Sequence, residues 1–259
     1  MAGSRVSGTI LRVLRLGSSR VDKAALLIPE LGPGIEVDTP VYAYLLETAD
    51  GRWILVDTGM SPVHIREPHA GFDPWFASVL TPTLTESDRL EARLATLGLV
   101  PGDISCLINT HLHFDHCGAN ALFPGIPIHV QRAHHAWALD SPACPAELWN
   151  LPGLRYELHD GEGALFEGIE LLLTPGHAPG HQSLLVTLRS GARVLLCGDA
   201  ILSQENIDRD SWTSQADPET ARASATRLIE LAAAHDAFMI FGHDPVQMTA
   251  LRYAPDSYR

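Results

Sequence analysis

Thr110-His111-Leu112-His113-Phe114-Asp115-His116 places four potential metal ligands within six residues, directly after an apolar stretch that reads as a strand over 105–109. Side chains two apart in extended chain point the same way, so His111 and His113 can converge on one ion. If the backbone then turns into a helix, the adjacent Asp115 and His116 swing toward a second ion beside the first. Imidazole and carboxylate suit zinc first, with cobalt, manganese and iron as alternatives. Solvated loop histidines are the bland alternative, but Leu112 and Phe114 alternate with the polar positions, which such a loop does not need. A cluster at the carboxyl end of a strand is also where open sheets containing parallel strands place their chemistry.

Working outward, three further residues stand at or just beyond predicted strand ends: His177 in Thr174-Pro175-Gly176-His177, Asp199 in Cys197-Gly198-Asp199, and His243 in Gly242-His243-Asp244. Each alone is a weak signal, because Asp after Gly is a common turn and a lone histidine can be a satisfied core residue. Jointly they complete two coordination spheres, with His111, His113 and His177 on one ion, Asp115, His116 and His243 on the other, and Asp199 bridging. Both spheres keep an open position for water. Divalent ions about 3.5–4 Å apart lower the pKa of a shared water and polarise a carbonyl, so no protein nucleophile is needed. Asp57 is expected either to orient a histidine ligand through its free ring nitrogen or simply to turn the chain after a strand. His181 is read as a supporting or structural residue, and Cys117 as a soft donor that the set does not need.

The surrounding pattern predicts strands over 9–16, 41–48, 53–56 and 127–130, hairpin-like strands over 154–158, 164–173, 183–188 and 193–197, and a last core strand over 238–241. Helices are predicted from a Thr85 cap to Leu97, over 132–139, and from Asp217-Pro218 to His235 with Ala221, Ala225, Leu228, Ile229 and Ala232 on one face. Segments 60–82 and 141–153 lose periodicity and collect prolines and aromatics, which marks them as substrate walls or lids. Met60, Trp75, Phe76, Phe114 and Trp149 stand near the proposed mouth, as apolar substrate contacts or as ordinary core. No repeat, low-complexity tract or linker divides the chain, so residues 1–259 read as one α/β domain of two sheets between outer helices.

Composition sets the outer bounds. Asp and Glu outnumber Lys and Arg by 31 to 18, and the net charge of -13 argues against nucleic acid and anionic membrane surfaces as partners. Arg5, Arg12, Arg15 and Arg20 interrupt any secretory leader, and no apolar run reaches bilayer length, so membrane insertion is not expected. The four cysteines, Cys106, Cys117, Cys144 and Cys197, lack framework spacing, which favours a reduced, cytoplasmic setting.

At the histidine motif the chain resembles the metallo-beta-lactamase superfamily, and more closely its N-acyl homoserine lactonases, which open the lactone ring of quorum-sensing signals. The resemblance extends through Tyr44-Leu45-Leu46-Glu47-Thr48, Val56-Asp57-Thr58-Gly59-Met60, His111 to His116, Thr174 to His177, Pro179 to Ser183 and Phe241-Gly242-His243-Asp244. It implies an αββα sandwich, two divalent metal ions bound by the seven residues as divided above, and a small acylated lactone as substrate. It further implies attack by a bridging hydroxide, proton transfer from Asp115 to the departing ring oxygen, and a homodimer. One position departs: the family usually carries a tyrosine three residues after the bridging aspartate, where this chain has Leu202. Leucine donates no hydrogen bond, so the substrate carbonyl must rely on metal, water or a tyrosine from elsewhere.

Competing readings keep the same site with different walls: another lactone, ester or thioester hydrolase, or a beta-lactam hydrolase. An iron oxidoreductase of this fold would leave part of the seven-residue set unused, and a non-catalytic metal-binding protein would not need the open positions or long walls. A nucleophile elbow and a dinucleotide fingerprint are both absent from the sequence.

Overall fold

The computed structural model describes residues 8–259; Arg5, one of the arginines set against a leader, lies outside them. β1 (Ile10–Asp22) and β2 (Glu36–Glu47) form a long antiparallel pair, and β3 (Trp53–Val56) returns against β2 after the Asp50-Gly51 turn. β4 (Leu80–Thr83) closes one edge against β1, while β5 (Ile104–Ile108), β6 (Pro127–Gln131) and β7 (Arg155–His159) continue from β3 in parallel. The result is a seven-stranded sheet ordered β4-β1-β2-β3-β5-β6-β7. β8 (Gly163–Phe166), β9 (Ile169–Leu173), β10 (Gln182–Thr187), β11 (Arg193–Leu196) and β12 (Ala237–Ile240) build a five-stranded sheet ordered β12-β11-β10-β9-β8.

Period-two alternation brings the sheets face to face. Leu11, Val13, Tyr44, Leu46, Ile54, Val56 and Ile108 from one meet Ile169, Leu171, Leu184, Val186, Val194 and Leu196 from the other. The strands are connected through the helices α1 (Lys23–Leu26), α2 (Pro74–Val79), α3 (Leu90–Ala95), α4 (Phe114–Cys117), α5 (Arg132–Ala138), α6 (Ala146–Trp149), α7 (Gln204–Arg209) and α8 (Pro218–His235), of which α3 and α8 pack on the outer faces. Leu45, Leu55 and Leu107 bury Leu90 and Leu94 of α3, and Leu185 and Leu195 bury Ala221, Ala225 and Leu228 of α8. The layers therefore run helix, sheet, sheet, helix, the αββα order expected. α8 starts where predicted because the Asp217 carboxylate accepts from the Thr220 N–H and Pro218 needs no donor there.

Three expectations change. The hairpin-like run from 154 to 173 is split, since β7 pairs in parallel with β6 and only β8 and β9 belong to the second sheet. The Thr85 cap serves a single turn over Glu86–Asp88; the chain then extends at Arg89 (ψ 142°) before α3 begins. Segment 60–82, which reads as irregular wall or lid, holds more regular structure than its sequence suggests, with α2 inside it and β4 paired to β1. All four cysteines are free and buried. Among the described residues no helix is long and apolar enough to cross a membrane.

Candidate metal centre

The strands aimed at one rim empty their ends into it. β3 ends at Asp57, β5 leads into His111–His116, β11 into Asp199 and β12 into His243, while the β9–β10 connection carries His177 and His181. The end of β12 reaches that close because Gly242 lacks a side chain; a Cβ there would lie 2.7 Å from Asp199 Oδ1.

All seven residues named from the sequence converge. His113 Nδ1 is 3.0 Å from both His111 Nε2 and His177 Nε2. His243 Nε2 lies 3.6 Å from Asp115 Oδ2, and His116 Nε2 lies 3.8 Å from Asp115 Oδ1. Asp199 stands between the two groups, with carboxylate oxygens 3.3 Å from His177, 3.3 Å from His116 and 3.2 Å from His243.

The second ring nitrogens show which atoms face the centre. His116 Nδ1 donates to Asp57 Oδ2 (2.9 Å), His243 Nδ1 to the Pro40 carbonyl (2.8 Å) and His177 Nδ1 to Gln215 Oε1 (2.7 Å), so that each Nε2 faces inward as the atom that can offer its lone pair to an ion. His111 Nδ1 contacts Thr110 Oγ1 (3.0 Å), whose hydroxyl donates to Asp57 Oδ2 (2.7 Å). Asp57 also accepts from the Thr110 N–H, so one carboxylate supports two histidines. It does so at φ 58°, a left-handed conformation uncommon for a residue other than glycine. His181 Nε2 accepts from the Asp199 N–H at 3.0 Å and so supports the bridge position without being a ligand.

These residues fit a pair of divalent ions. With His111 and His177 protonated at Nδ1, a proton on His113 Nδ1 could serve only one of the two nitrogens 3.0 Å from it, so hydrogen bonds alone do not hold these three nitrogens together. They match the roughly 3.3 Å edge of a tetrahedron with zinc–nitrogen arms of about 2.0–2.1 Å. His116 Nε2 and Asp199 Oδ1 are buried with no hydrogen-bond partner, orphans that a cation would satisfy. Charge tells the same story. Burial pushes His111 and His113 well below the usual imidazole range, keeping them neutral. Burial also opposes the His116 and His243 cations, but Asp199 and Asp115 outweigh it and raise both, His243 to about 9. The buried carboxylates thus demand positive charge, which a divalent ion supplies in place of those protons.

Three supporting residues carried no signal in the sequence: Thr110, Gln215 and His134. His134, on α5, is fully buried; its Nε2 accepts from the Leu112 N–H (2.7 Å) and its Nδ1 donates to the Pro179 carbonyl (2.8 Å), bridging the two histidine loops. Burial lowers its pKa from 6.5 to about 4. The folded value is depressed below the unfolded one, so protons bind the unfolded chain first, and stability falls as pH drops from 6.5 toward 4. Chelator-treated protein should lose on the order of 3 kcal/mol over that interval through this group. Urea midpoints at the two pH values check it, and His134→Gln should flatten the decline; an equally steep decline in that variant would refute the assignment.

Beside the cluster lies a cavity of about 360 Å³ whose wall includes His113, Phe114, Asp115, His177, Asp199 and His243. Trp75, Phe76 and Leu202 line it, and so do Phe72, Pro142, Ala143 and Pro145. Phe72, Phe76 and Phe114 form an edge-to-face trio with centroids 4.8, 4.9 and 5.8 Å apart. Met60 and Trp149 take the other of their two readings, ordinary core. Met60 packs behind the wall, in one cluster with Ile28, Val41 and the wall residues Leu27 and Phe114, its sulfur 3.8 Å from Ser19 Oγ. Trp149 is fully buried against Leu112 and Cys117, anchoring its segment from beneath. None of the five tyrosines lines the cavity, so no tyrosine from elsewhere replaces the missing one. Cys117 is no ligand; its thiol donates to the Leu112 carbonyl.

Comparison with known proteins agrees with this geometry. Residues 37–243 match the family model of the metallo-beta-lactamase superfamily. An N-acyl homoserine lactonase of Bacillus thuringiensis is 38% identical over 226 residues, covering 87% of this chain and 90% of the relative. The lactonase AttM of Rhizobium radiobacter is 30% identical over 88% of this chain and 90% of its own length. Among solved structures, an N-acyl homoserine lactone hydrolase with N-hexanoyl-L-homoserine, its product, at the catalytic metal centre superposes with a TM-score of 0.91 at 34% identity, covering 97% of this chain and all of that one. The chain belongs to the metallo-beta-lactamase superfamily and is similar over nearly its whole length to the N-acyl homoserine lactonases within it.

Proposed function

We propose that this chain hydrolyses the lactone ring of N-acyl homoserine lactones. The observation that carries the reading is the seven-residue cluster opening directly into an apolar, phenylalanine-lined cavity, in a chain so similar to lactonases. His111, His113 and His177 would hold one ion, Asp115, His116 and His243 the other, and Asp199 would bridge them. When bound, two divalent ions, zinc by donor chemistry, supply Lewis acidity and water that ionises near neutral pH. The chain's own residues do the rest. Asp115 lines the cavity and would take the proton released by the attacking water and pass it to the ring oxygen as the ester C–O bond breaks, leaving an acyl homoserine carboxylate and its alcohol. Phe72, Phe76 and Phe114 receive the acyl chain, each buried CH₂ contributing about 0.8 kcal/mol.

Purified protein with its metal quantified should open both short and long N-acyl homoserine lactones, with proton release as the signal. Exhaustive chelation should abolish turnover and lower the thermal midpoint, and returning zinc should restore both. No turnover on either lactone by protein holding two ions per chain would overturn the assignment. One feature favours a second reading, hydrolysis of another lactone, ester or thioester: Leu202 offers the substrate carbonyl no directional contact. Parallel assays on those esters decide between them.

A further inference from the structure

In the segment joining α7 to α8, Ser211 and Gln215 are buried polar side chains, and the proposed reaction leaves the role of Gln215 open. Gln215 is 5% exposed; its Oε1 lies 2.7 Å from His177 Nδ1, while its Nε2 has no partner. The segment is clamped from several sides. The Gln215 N–H donates to the Trp212 carbonyl, Trp212 is buried and donates through its indole N–H to Asp210, and the Asp217 N–H donates to the carbonyl of Gly176, the residue before His177.

An amide is ambidextrous. With oxygen toward the ring, it accepts from Nδ1–H, and Nε2 keeps its lone pair for an ion. Turned over, its NH₂ would donate to Nδ1, which forces the proton onto Nε2 and removes His177 as a ligand. Two other histidines of the cluster are held by partners without that ambiguity: the Pro40 carbonyl for His243 and the Asp57 carboxylate for His116.

We infer that Gln215 is a positioning residue that selects the Nδ1–H tautomer of His177 and thereby sets the affinity of the ion bound by His111, His113 and His177. This rests on the two-ion reading of the site. It acts through His177 and touches no substrate, so its signature is in metal binding and ring tautomer. Supporting partners of ligating histidines typically change affinity about 10–100-fold.

The test compares wild type, Gln215→Leu and Gln215→Glu. Zinc affinities of both sites are measured by chelator competition, and ring ¹⁵N shifts of His177 are read in the metal-free proteins. Gln215→Leu should weaken one zinc about 10–100-fold, leave the other unchanged, and mix the His177 tautomers. Gln215→Glu, whose ionised carboxylate can only accept, should hold that zinc at least as tightly as wild type and show one tautomer at neutral pH. Two wild-type affinities in Gln215→Leu overturn the inference, as does Gln215→Glu weakened as much as Gln215→Leu, which would mark a packing role. If Gln215→Leu does not fold, Gln215→Glu alone decides, since any loss of affinity there contradicts the inference. A wild-type protein that binds fewer than two zinc ions overturns the two-ion reading itself, an outcome visible before any variant is made.

Discussion

Asp199→Ala is expected to reduce kcat on acyl homoserine lactone by at least about 10²–10³-fold, the scale of losing a preorganised electrostatic group at a reacting centre. The Asp199 carboxylate reaches both halves of the cluster, with oxygens within 3.3 Å of His116, His177 and His243. Removing it takes away the shared carboxylate and the charge that raises the pKa of His116 and His243. Metal content per chain should fall from two toward one or none, while far-ultraviolet circular dichroism stays that of wild type. Retention of two ions with kcat within tenfold would show that the bridge position is dispensable. Asp57→Asn should be milder, about 10–100-fold, because that carboxylate acts through the histidines it orients.

Trp149→Ala should cost about 3–5 kcal/mol of stability, the range for deleting a large buried aromatic side chain. Trp149 is fully buried, its indole donates to the Cys144 carbonyl at 3.0 Å, and its own carbonyl accepts from Tyr156 Oη at 2.7 Å. It pins the stretch that presents Pro142, Ala143 and Pro145 to the cavity. KM for long acyl chains should therefore rise in the folded fraction while metal content holds. A urea midpoint shifted by less than about 1 kcal/mol would show that the segment is anchored elsewhere.

How much of this was legible in the sequence depends on how local each cause is. His111 to His116 announce themselves because four ligands share six positions, and His177, Asp199 and His243 follow because each stands at or near a strand end beside glycine or just after one. The αββα order follows from alternation in the strands and the face of α8. The partition between β7 and β8 was not legible, since the Asp160-Gly161 turn looks the same whether the next strand folds back or crosses to another sheet. Met60 and Trp149 have the composition of a cavity wall, yet packing from distant segments puts both behind it. Gln215 and His134 are single polar residues far in sequence from what they hold, and nothing in their neighbourhood marks them.

The ligands divide by sheet: His111, His113, Asp115 and His116 follow β5 of the larger sheet, and His177, Asp199 and His243 follow strands of the smaller one. An ion bound among them is a rivet across the seam, and its binding free energy adds to the cohesion of the two halves. Chains made when metal is scarce would open along that seam more often and meet proteases there. The steady-state abundance of the protein, and not only its specific activity, would then follow the supply of the ion.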